Sequence, residues 1–191
     1  QDHKKIAVFV RELLADLFRE FPEVSGIIMR VGESDGRDVK GLLHSELCLR
    51  RPAQLNHLLK AILPLFEAEK RRLILRNWTV GAYSIGDFIW HRKTLARVLA
   101  GIDSKAFVLS LKYGESDFFR YLNLNAHFFD TPVQKIVELQ ARREYEGCGE
   151  YPSFIGGDYA AYARELAGAK NMLGISVWCQ TGGWLPFRRL A

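Results

Sequence analysis

The most constraining feature of this 191-residue chain is the alternation of helix-patterned segments with short apolar runs. Segment 4–20 repeats apolar residues at the spacing of one helix face, and segment 52–69 does so after Pro52, which suits a first helical turn. Short apolar runs such as 26–31 follow these segments and indicate buried strands. Helices that alternate with apolar strands are typical of βα units, so the sequence predicts an α/β fold with a parallel sheet.

The pattern extends over most of the chain. Five strands are predicted at 26–31, 73–80, 106–111, 136–142 and 174–179, and four helices at 4–20, 52–69, 86–101 and 157–171. The segments 32–51 and 114–134 are predicted to be loops, and Trp90 is expected to pack in the core against the sheet. No internal repeat or low-complexity linker interrupts the pattern, so residues 1–191 are predicted to form a single domain.

Composition excludes several classes of protein. Apolar residues make up 48% of the chain and charged residues 26%, which excludes a disordered or collagen-like protein. No run of 18 apolar residues occurs, so no membrane partner is predicted. The net charge of +5 is spread out, with its longest basic cluster at 70–72, so no nucleic-acid partner is predicted either. The chain starts at Gln1 rather than Met, which indicates a cut or processed chain and leaves the compartment open.

Cysteine and histidine give little sign of a metal site. Cys48, Cys148 and Cys179 form no CxxC pair, and buried free thiols are expected. The five histidines are scattered and none ends a predicted strand, so they are expected on the surface or in loops. Neither a metal nor another cofactor is predicted.

Polar residues end every predicted strand. The active site of a barrel or open parallel sheet lies at the carboxyl ends of its strands, so these residues are candidates for a ligand site. Side chains alternate along a strand, so residues two apart share a face. The shared-face sets are Ile74, Arg76 and Trp78; Val108, Ser110 and Lys112; Glu138, Gln140 and Arg142; and Ser176, Trp178 and Gln180.

Two interpretations of these charged strand ends remain open. Buried charges are stable only when they are paired, so a structural ion-pair network is one interpretation, with Glu138 as a core carboxylate paired with Arg142 or Arg76. The other is a ligand site for a saccharide. Tryptophan rings stack on sugars, Arg76 and Lys112 can hold a sugar carboxylate, and paired carboxyl groups serve glycoside hydrolysis.

Two segments resemble the α-glucuronidases of glycoside hydrolase family 67. Segment 110–118, Ser-Leu-Lys-Tyr-Gly-Glu-Ser-Asp-Phe, is similar to that family's Lys-x-Gly-x-x-Asp-Phe stretch. Segment 138–147, Glu-Leu-Gln-Ala-Arg-Arg-Glu-Tyr-Glu-Gly, is similar to its Glu-Phe-Gln-x-x-x-Glu-Tyr-x-Gly strand. Segment 26–30 more loosely resembles the strand that precedes the family's general acid.

The resemblance implies roles for individual residues. It places Asp117 and Glu144 as the catalytic-base carboxylates and Glu33 as the general acid, with Asp35 as its competitor, because the family's acid falls where this chain has Ser34. It implies that Arg76 and Lys112 bind a uronic acid carboxylate. The remaining residues predicted to bind substrate are Arg30, Trp78 and Trp178.

The resemblance also implies an incomplete barrel. It covers the last five strands of a (β/α)8 TIM barrel and lacks the first three, and a complete barrel takes about 250 residues. We therefore expect either a portion of a longer protein or a chain that self-associates to cover its open edges. The implied function is inverting hydrolysis of an α-linked uronic acid from a glycan, with carbohydrate as the partner. The alternative is a non-catalytic carbohydrate-binding or scaffolding barrel fragment.

Overall fold

The computed structural model describes residues 3–31, 48–77, 84–86, 88–116, 123–140 and 155–178. These residues form an α/β fold in which five parallel strands in one sheet alternate with helices. The helices are α1 (His3–Glu20), α2 (Pro52–Ala68), α3 (Arg92–Val98), α4 (His127–Asp130) and α5 (Gly156–Glu165). The strands are β1 (Gly26–Met29), β2 (Arg72–Arg76), β3 (Phe107–Lys112), β4 (Lys135–Gln140) and β5 (Met172–Trp178). Short 3₁₀ turns lie at Ser84–Gly86 and Leu166–Gly168.

The strands lie in the sheet in the order in which they occur in the chain, β1-β2-β3-β4-β5. Every neighbouring pair is parallel. Gly26 permits the close approach of β1 to β2 at this position, because a Cβ here would collide with the carbonyl of Arg72. The predicted parallel α/β sheet is therefore confirmed.

The core lies between the helices and one face of the sheet. Side chains from α2, such as Leu59, Ile62 and Phe66, are fully buried in one cluster with alternate strand residues. We call this side the core face of the sheet, defined by Leu73, Leu75, Leu109, Leu111, Val137 and Leu139. Burial of this apolar surface is the main stabilising contribution to a fold of this kind.

Local signals explain why α2 begins and why α3 ends where they do. Pro52 occupies the first turn of α2, and the Gln54 side chain accepts hydrogen bonds from the backbone N–H groups of Arg50 and Arg51 at 2.9 and 3.0 Å. After α3, Gly101 adopts a left-handed φ of 66°, a conformation that glycine adopts readily and that commonly follows a helix end.

Several sequence expectations are wrong in detail. Helix α3 is shorter than 86–101, and the predicted loop 114–134 contains the short helix α4. Trp90 is 60% exposed and its indole N–H donates to the Glu115 carbonyl at 2.7 Å, because its neighbours Phe88 and Ile89 take the buried positions. Cys48 is a free thiol, but it is exposed rather than buried; Cys148 and Cys179 lie outside the described residues.

Candidate functional site

Polar side chains gather at the carboxyl edge of the sheet, on the face opposite the core face. The register aligns Arg76 with Ser110, Lys112 with Glu138, Glu138 with Ser176, and Gln140 with Trp178. Residues aligned in register on parallel strands point to the same side of the sheet. We call this set the polar face, and its members are Arg76, Ser110, Lys112, Glu138, Gln140, Ser176 and Trp178. The predicted sharing of one face by these residues is confirmed.

An ion pair between Arg76 and Glu138 forms the centre of the polar face. The Arg76 Nε donates to Glu138 Oε2 at 2.7 Å, and Nη2 donates to Oε1 at 2.5 Å. The two side chains are only 7% and 6% exposed. This fork-to-fork geometry is the strongest form of arginine–carboxylate pairing, and it lets both charges remain buried.

The ion pair connects four strands. Arg76 extends from β2 past β3 to reach Glu138 on β4, and the Ser110 hydroxyl on β3 donates to Glu138 Oε2 at 3.3 Å. The guanidinium carbon of Arg76 also lies 4.5 Å from the centroid of the Trp178 ring on β5. This is a cation–π distance, so Arg76 both neutralises Glu138 and supports the Trp178 indole.

Further polar groups surround this network. Lys112 is 1% exposed, and its carbonyl accepts a hydrogen bond from Asn125 Nδ2 at 3.2 Å. The Tyr159 hydroxyl donates to the Gln140 carbonyl. Within the described part of the chain, the buried amide oxygen of Gln140 and both amide atoms of Asn77 have no hydrogen-bond partner. Buried polar atoms of this kind are normally satisfied, so the carboxyl edge has hydrogen-bonding capacity that the described residues do not use.

An aromatic cluster lies immediately beyond Lys112. Tyr113 stacks on Tyr162 of α5, with ring centroids 3.6 Å apart, and its hydroxyl donates to the Glu165 carboxylate at 2.5 Å. Burial, followed by the hydrogen bond and negative charge of Glu165, raises the pKa of the Tyr113 phenol well above its usual value. This cluster fixes α5 against the end of β3.

The structure brings three of the eight predicted site residues together on the polar face. Arg76, Lys112 and Trp178 all belong to the polar face. Arg30 directly follows β1, so it lies at the carboxyl end of the sheet. It is two residues beyond Ile28, so side-chain alternation places it on the same face as Ile28. The other predicted residues, Glu33 with its competitor Asp35, Trp78, Asp117 and Glu144, lie outside the described residues.

Glu138 is more central to the site than the sequence indicated. The structure confirms the interpretation in which it pairs with Arg76, while Arg142 lies outside the described residues. The signal for Glu138 was present in the alternation of Glu138 and Gln140 along an otherwise apolar strand. Its partner could not be chosen from the sequence, because the pairing crosses β3.

His127 corrects the expectation that the histidines are solvated. It is 2% exposed, and its two ring nitrogens lie 2.9 Å from the Asp130 carboxylate and 2.9 Å from the Phe88 carbonyl. The reason is that α4 turns this ring inward against the segment that carries Phe88. These contacts indicate a structural role.

The described residues contain no group of three or more His, Cys, Asp or Glu side chains that could hold a metal ion. Among the helices of this part of the chain, none is long and apolar enough to cross a bilayer.

Comparison with known proteins gives no match: no protein family, no curated protein and no solved structure is significantly similar to this chain. The resemblance to α-glucuronidases therefore rests on the short motifs alone.

Proposed function

We propose that the carboxyl edge of the sheet binds an acidic saccharide, as part of an α-glucuronidase-like glycosidase that hydrolyses an α-linked uronic acid with inversion. The supporting observation is the buried Arg76–Glu138 pair with the Trp178 indole above it. It lies at the strand ends where parallel α/β folds hold their ligands. An indole held in place by a buried ion pair is a rigid surface on which a sugar ring can stack.

The strand order supports a partial (β/α)8 barrel with its first three strands missing. A doubly wound sheet reverses its strand order at a switch point, whereas in a barrel each strand lies next to its successor. The described sheet has the second kind of order throughout. A barrel portion also explains why the polar face of the sheet carries charged residues at its carboxyl edge.

The pairing of Arg76 refines the division of roles. Arg76 uses Nε and Nη2 to bind Glu138, so its proposed role is to support Trp178 as well as to add positive charge near the ligand. Lys112 keeps the role that the resemblance implies, contact with the sugar carboxylate, and Arg30 remains a proposed substrate-binding residue. Catalysis is assigned to the general acid Glu33 (or Asp35) and to the bases Asp117 and Glu144, with acid–base separations of roughly 6.5–9.5 Å expected for inversion.

The activity is tested by incubating the chain with an aryl α-glucuronide and following the first-formed anomer by NMR. We expect release of the β-anomer, and a loss of about 10²–10⁴-fold in turnover in Asp117→Ala and in Glu144→Ala, as for removal of a general base. Retained configuration would contradict inversion. Unchanged turnover in both variants would overturn the mechanism.

A second candidate is non-catalytic carbohydrate binding. The observation that favours it is that Glu138, the buried carboxylate of the polar face, is already neutralised by Arg76 and hydrogen-bonded to Ser110. Titration with glucuronic acid in wild type, Trp178→Ala and Trp90→Ala separates the candidates. Trp90 is the matched control because it is an exposed tryptophan bonded to a different part of the chain. Binding that is lost only in Trp178→Ala, without turnover, supports this second candidate.

A further inference from the structure

The amino edge of the sheet, where the strands begin, carries the longest basic cluster of the sequence. Lys70, Arg71 and Arg72 lie where α2 turns into β2. The turn from α3 into β3 lies beside this cluster, and Arg72 Nη1 donates to the Lys105 carbonyl at 2.6 Å. A pocket of about 520 Å³ lies between the two turns. This volume is within the range in which proteins bind small molecules.

Positive charge predominates in the lining of this pocket. Six charged side chains line it, and four of them are cations. Both turns, 69–71 and 99–106, lie wholly within the described residues, so no gap in the chain interrupts the lining. The cations are Lys70, Arg71, Arg72 and Lys105, and the carboxylates are those of Glu67 and Asp103.

Three of these cations have donors that the described residues do not use. Within the described part of the chain, no hydrogen bond or ion pair engages the ammonium groups of Lys70 and Lys105. Arg72 donates through Nη1, to the Lys105 carbonyl and to Gln134 Oε1 at 2.9 Å, which leaves its Nε and Nη2 available. The pocket therefore offers several charged donors, from both turns, to an anion.

Ser104 adds an uncharged donor to the same pocket. Its hydroxyl oxygen accepts a hydrogen bond from the Ala106 N–H at 3.1 Å, so its own O–H can donate to a ligand. Arg71 has a different part, because it is 9% exposed and its guanidinium donates to the carbonyls of Val24 and Phe18. It contributes positive charge to the pocket, whereas direct contacts are left to the other cations.

Lys70 occupies a backbone conformation that disfavours lysine. Its φ is 55°, in the left-handed region, where the chain has Gly101 after α3 and Asn171 before β5. Glycine and asparagine adopt this conformation most readily. A cation at the end of α2 also interacts favourably with the helix dipole. That effect does not explain Arg72 and Lys105, which lie beyond the last turn of a helix.

We propose that this pocket binds the phosphate group of a small phosphorylated molecule. A phosphate monoester carries between about 1.5 and 2 negative charges at neutral pH and is the common small anion of that charge. Lys70 and Lys105, one from each turn, contact its oxygens together with Arg72, and Ser104 donates a further hydrogen bond. The pocket lies at the opposite end of the sheet from the polar face, so this site is separate from the proposed saccharide site.

The site is tested by NMR titration of the 191-residue chain with glycerol 3-phosphate, inorganic phosphate and glycerol. We expect both phosphate probes to shift the amide signals of 69–72 and 103–106, and glycerol to leave them unchanged. We expect the ester to bind more tightly, because the pocket is larger than one phosphate ion. Equal affinity for the two phosphate probes would assign the pocket to free phosphate and overturn a phosphorylated molecule as its ligand. Absence of shifts in both turns with both phosphate probes would overturn the site itself.

Substitutions separate this site from a general effect of surface charge. Lys70→Gly removes an ammonium group and relieves the left-handed backbone, so we expect affinity to fall by about tenfold or more without a lower melting temperature. Lys105→Gln, in the other turn, is expected to weaken binding by a similar factor. Lys170→Gln is the matched control, because Lys170 is an exposed lysine of the same edge that does not line the pocket. Unchanged affinity in both pocket variants, or equal weakening in Lys170→Gln, would overturn the proposal.

Discussion

Two buried cations lie at opposite ends of the sheet and are held in different ways. Arg76, at the carboxyl edge, is 6% exposed and forms two hydrogen bonds to the Glu138 carboxylate. Lys135, at the start of β4, is 0% exposed, and its Nζ donates to the carbonyls of Thr131 and Lys170 at 2.9 and 2.8 Å. The first charge is balanced by an opposite charge, and the second is solvated by peptide dipoles.

The difference shows what each end of the sheet requires. The charged pair on the polar face fixes side chains from four strands at the proposed ligand site. Lys135 instead joins the segment before β4 to the segment before β5, where Asn171 Nδ2 also donates to the Pro132 carbonyl at 2.7 Å. Burial lowers the pKa of Lys135, and the nearby Asp130 carboxylate partly offsets this effect. The amino end is therefore held together by a buried cation whose pKa is lowered by burial.

Removal of the Glu138 carboxylate is expected to have the largest effect. Glu138→Ala leaves the buried Arg76 without its carboxylate partner, and we expect the free energy of unfolding to fall by about 3–5 kcal/mol in urea titrations. Asp16→Ala is the control, because Asp16 pairs with Arg19 on the surface at 2.8 Å, with side chains 59% and 69% exposed. That variant should change stability by less than about 1 kcal/mol. Equal effects of the two substitutions would show that burial does not distinguish these pairs.

Replacing both members of the buried pair is expected to restore much of the lost stability. Arg76→Met with Glu138→Leu removes both charges and keeps apolar volume, so we expect the double variant to unfold within about 2 kcal/mol of wild type. The coupling energy from the double-mutant cycle measures the pair directly. If the losses from the single variants simply add, the two residues stabilise the fold independently. Under the proposed function, we expect the double variant to bind saccharide more weakly than wild type, because Trp178 loses its contact with Arg76.

Lys135→Met is expected to have a smaller effect. It removes two donors from buried carbonyls, which destabilises the fold, and it also removes the unfavourable burial of a charge. We expect a net loss of about 1–2 kcal/mol at neutral pH in urea titrations. A loss as large as that of Glu138→Ala would contradict the distinction between the two ends of the sheet.

The pH dependence of Lys135 has a definite sign. Its pKa is lowered in the folded chain, so the folded chain releases this proton at a lower pH than the unfolded chain, whose lysines titrate at about 10.4. At pH values between the folded and the unfolded pKa of Lys135, the unfolded chain binds more protons than the folded chain, so the free energy of unfolding rises with pH. We therefore expect the free energy of unfolding of wild type minus that of Lys135→Met to increase as the pH approaches about 10.4. A flat difference would contradict the burial of a charged amine.

Tyr113 gives the smallest effect, and it has the opposite sign. Its pKa is raised in the folded chain, so its contribution is present below the unfolded value of about 10 and is lost as the pH rises above it. Tyr113→Phe should lower stability by about 1 kcal/mol at neutral pH and make the alkaline loss of stability shallower. Unfolding titrations of both proteins across this range provide the measurement. Parallel pH curves for wild type and Tyr113→Phe would contradict the raised pKa.

Much of the fold was predictable because its signals are local. Helix α1 occupies the segment with helical spacing, α2 begins at Pro52, and all five predicted strands occur. The shared face of Ser110 and Lys112, and that of Glu138 and Gln140, follow from the two-residue repeat of a strand. The exposure of Trp90 and the burial of His127 were not predictable, because they depend on contacts with distant segments.

The sequence by itself determined the α/β class, the parallel strands and the set of polar residues at the strand ends. Periodicity and side-chain alternation are properties of consecutive residues, so they can be read along the chain. Only the tertiary structure decided that Arg76 passes β3 to pair with Glu138, that Trp178 lies above this pair, and that Lys135 is held by carbonyls. These choices join residues that are far apart in the chain, and burial selects among partners that the sequence leaves equivalent.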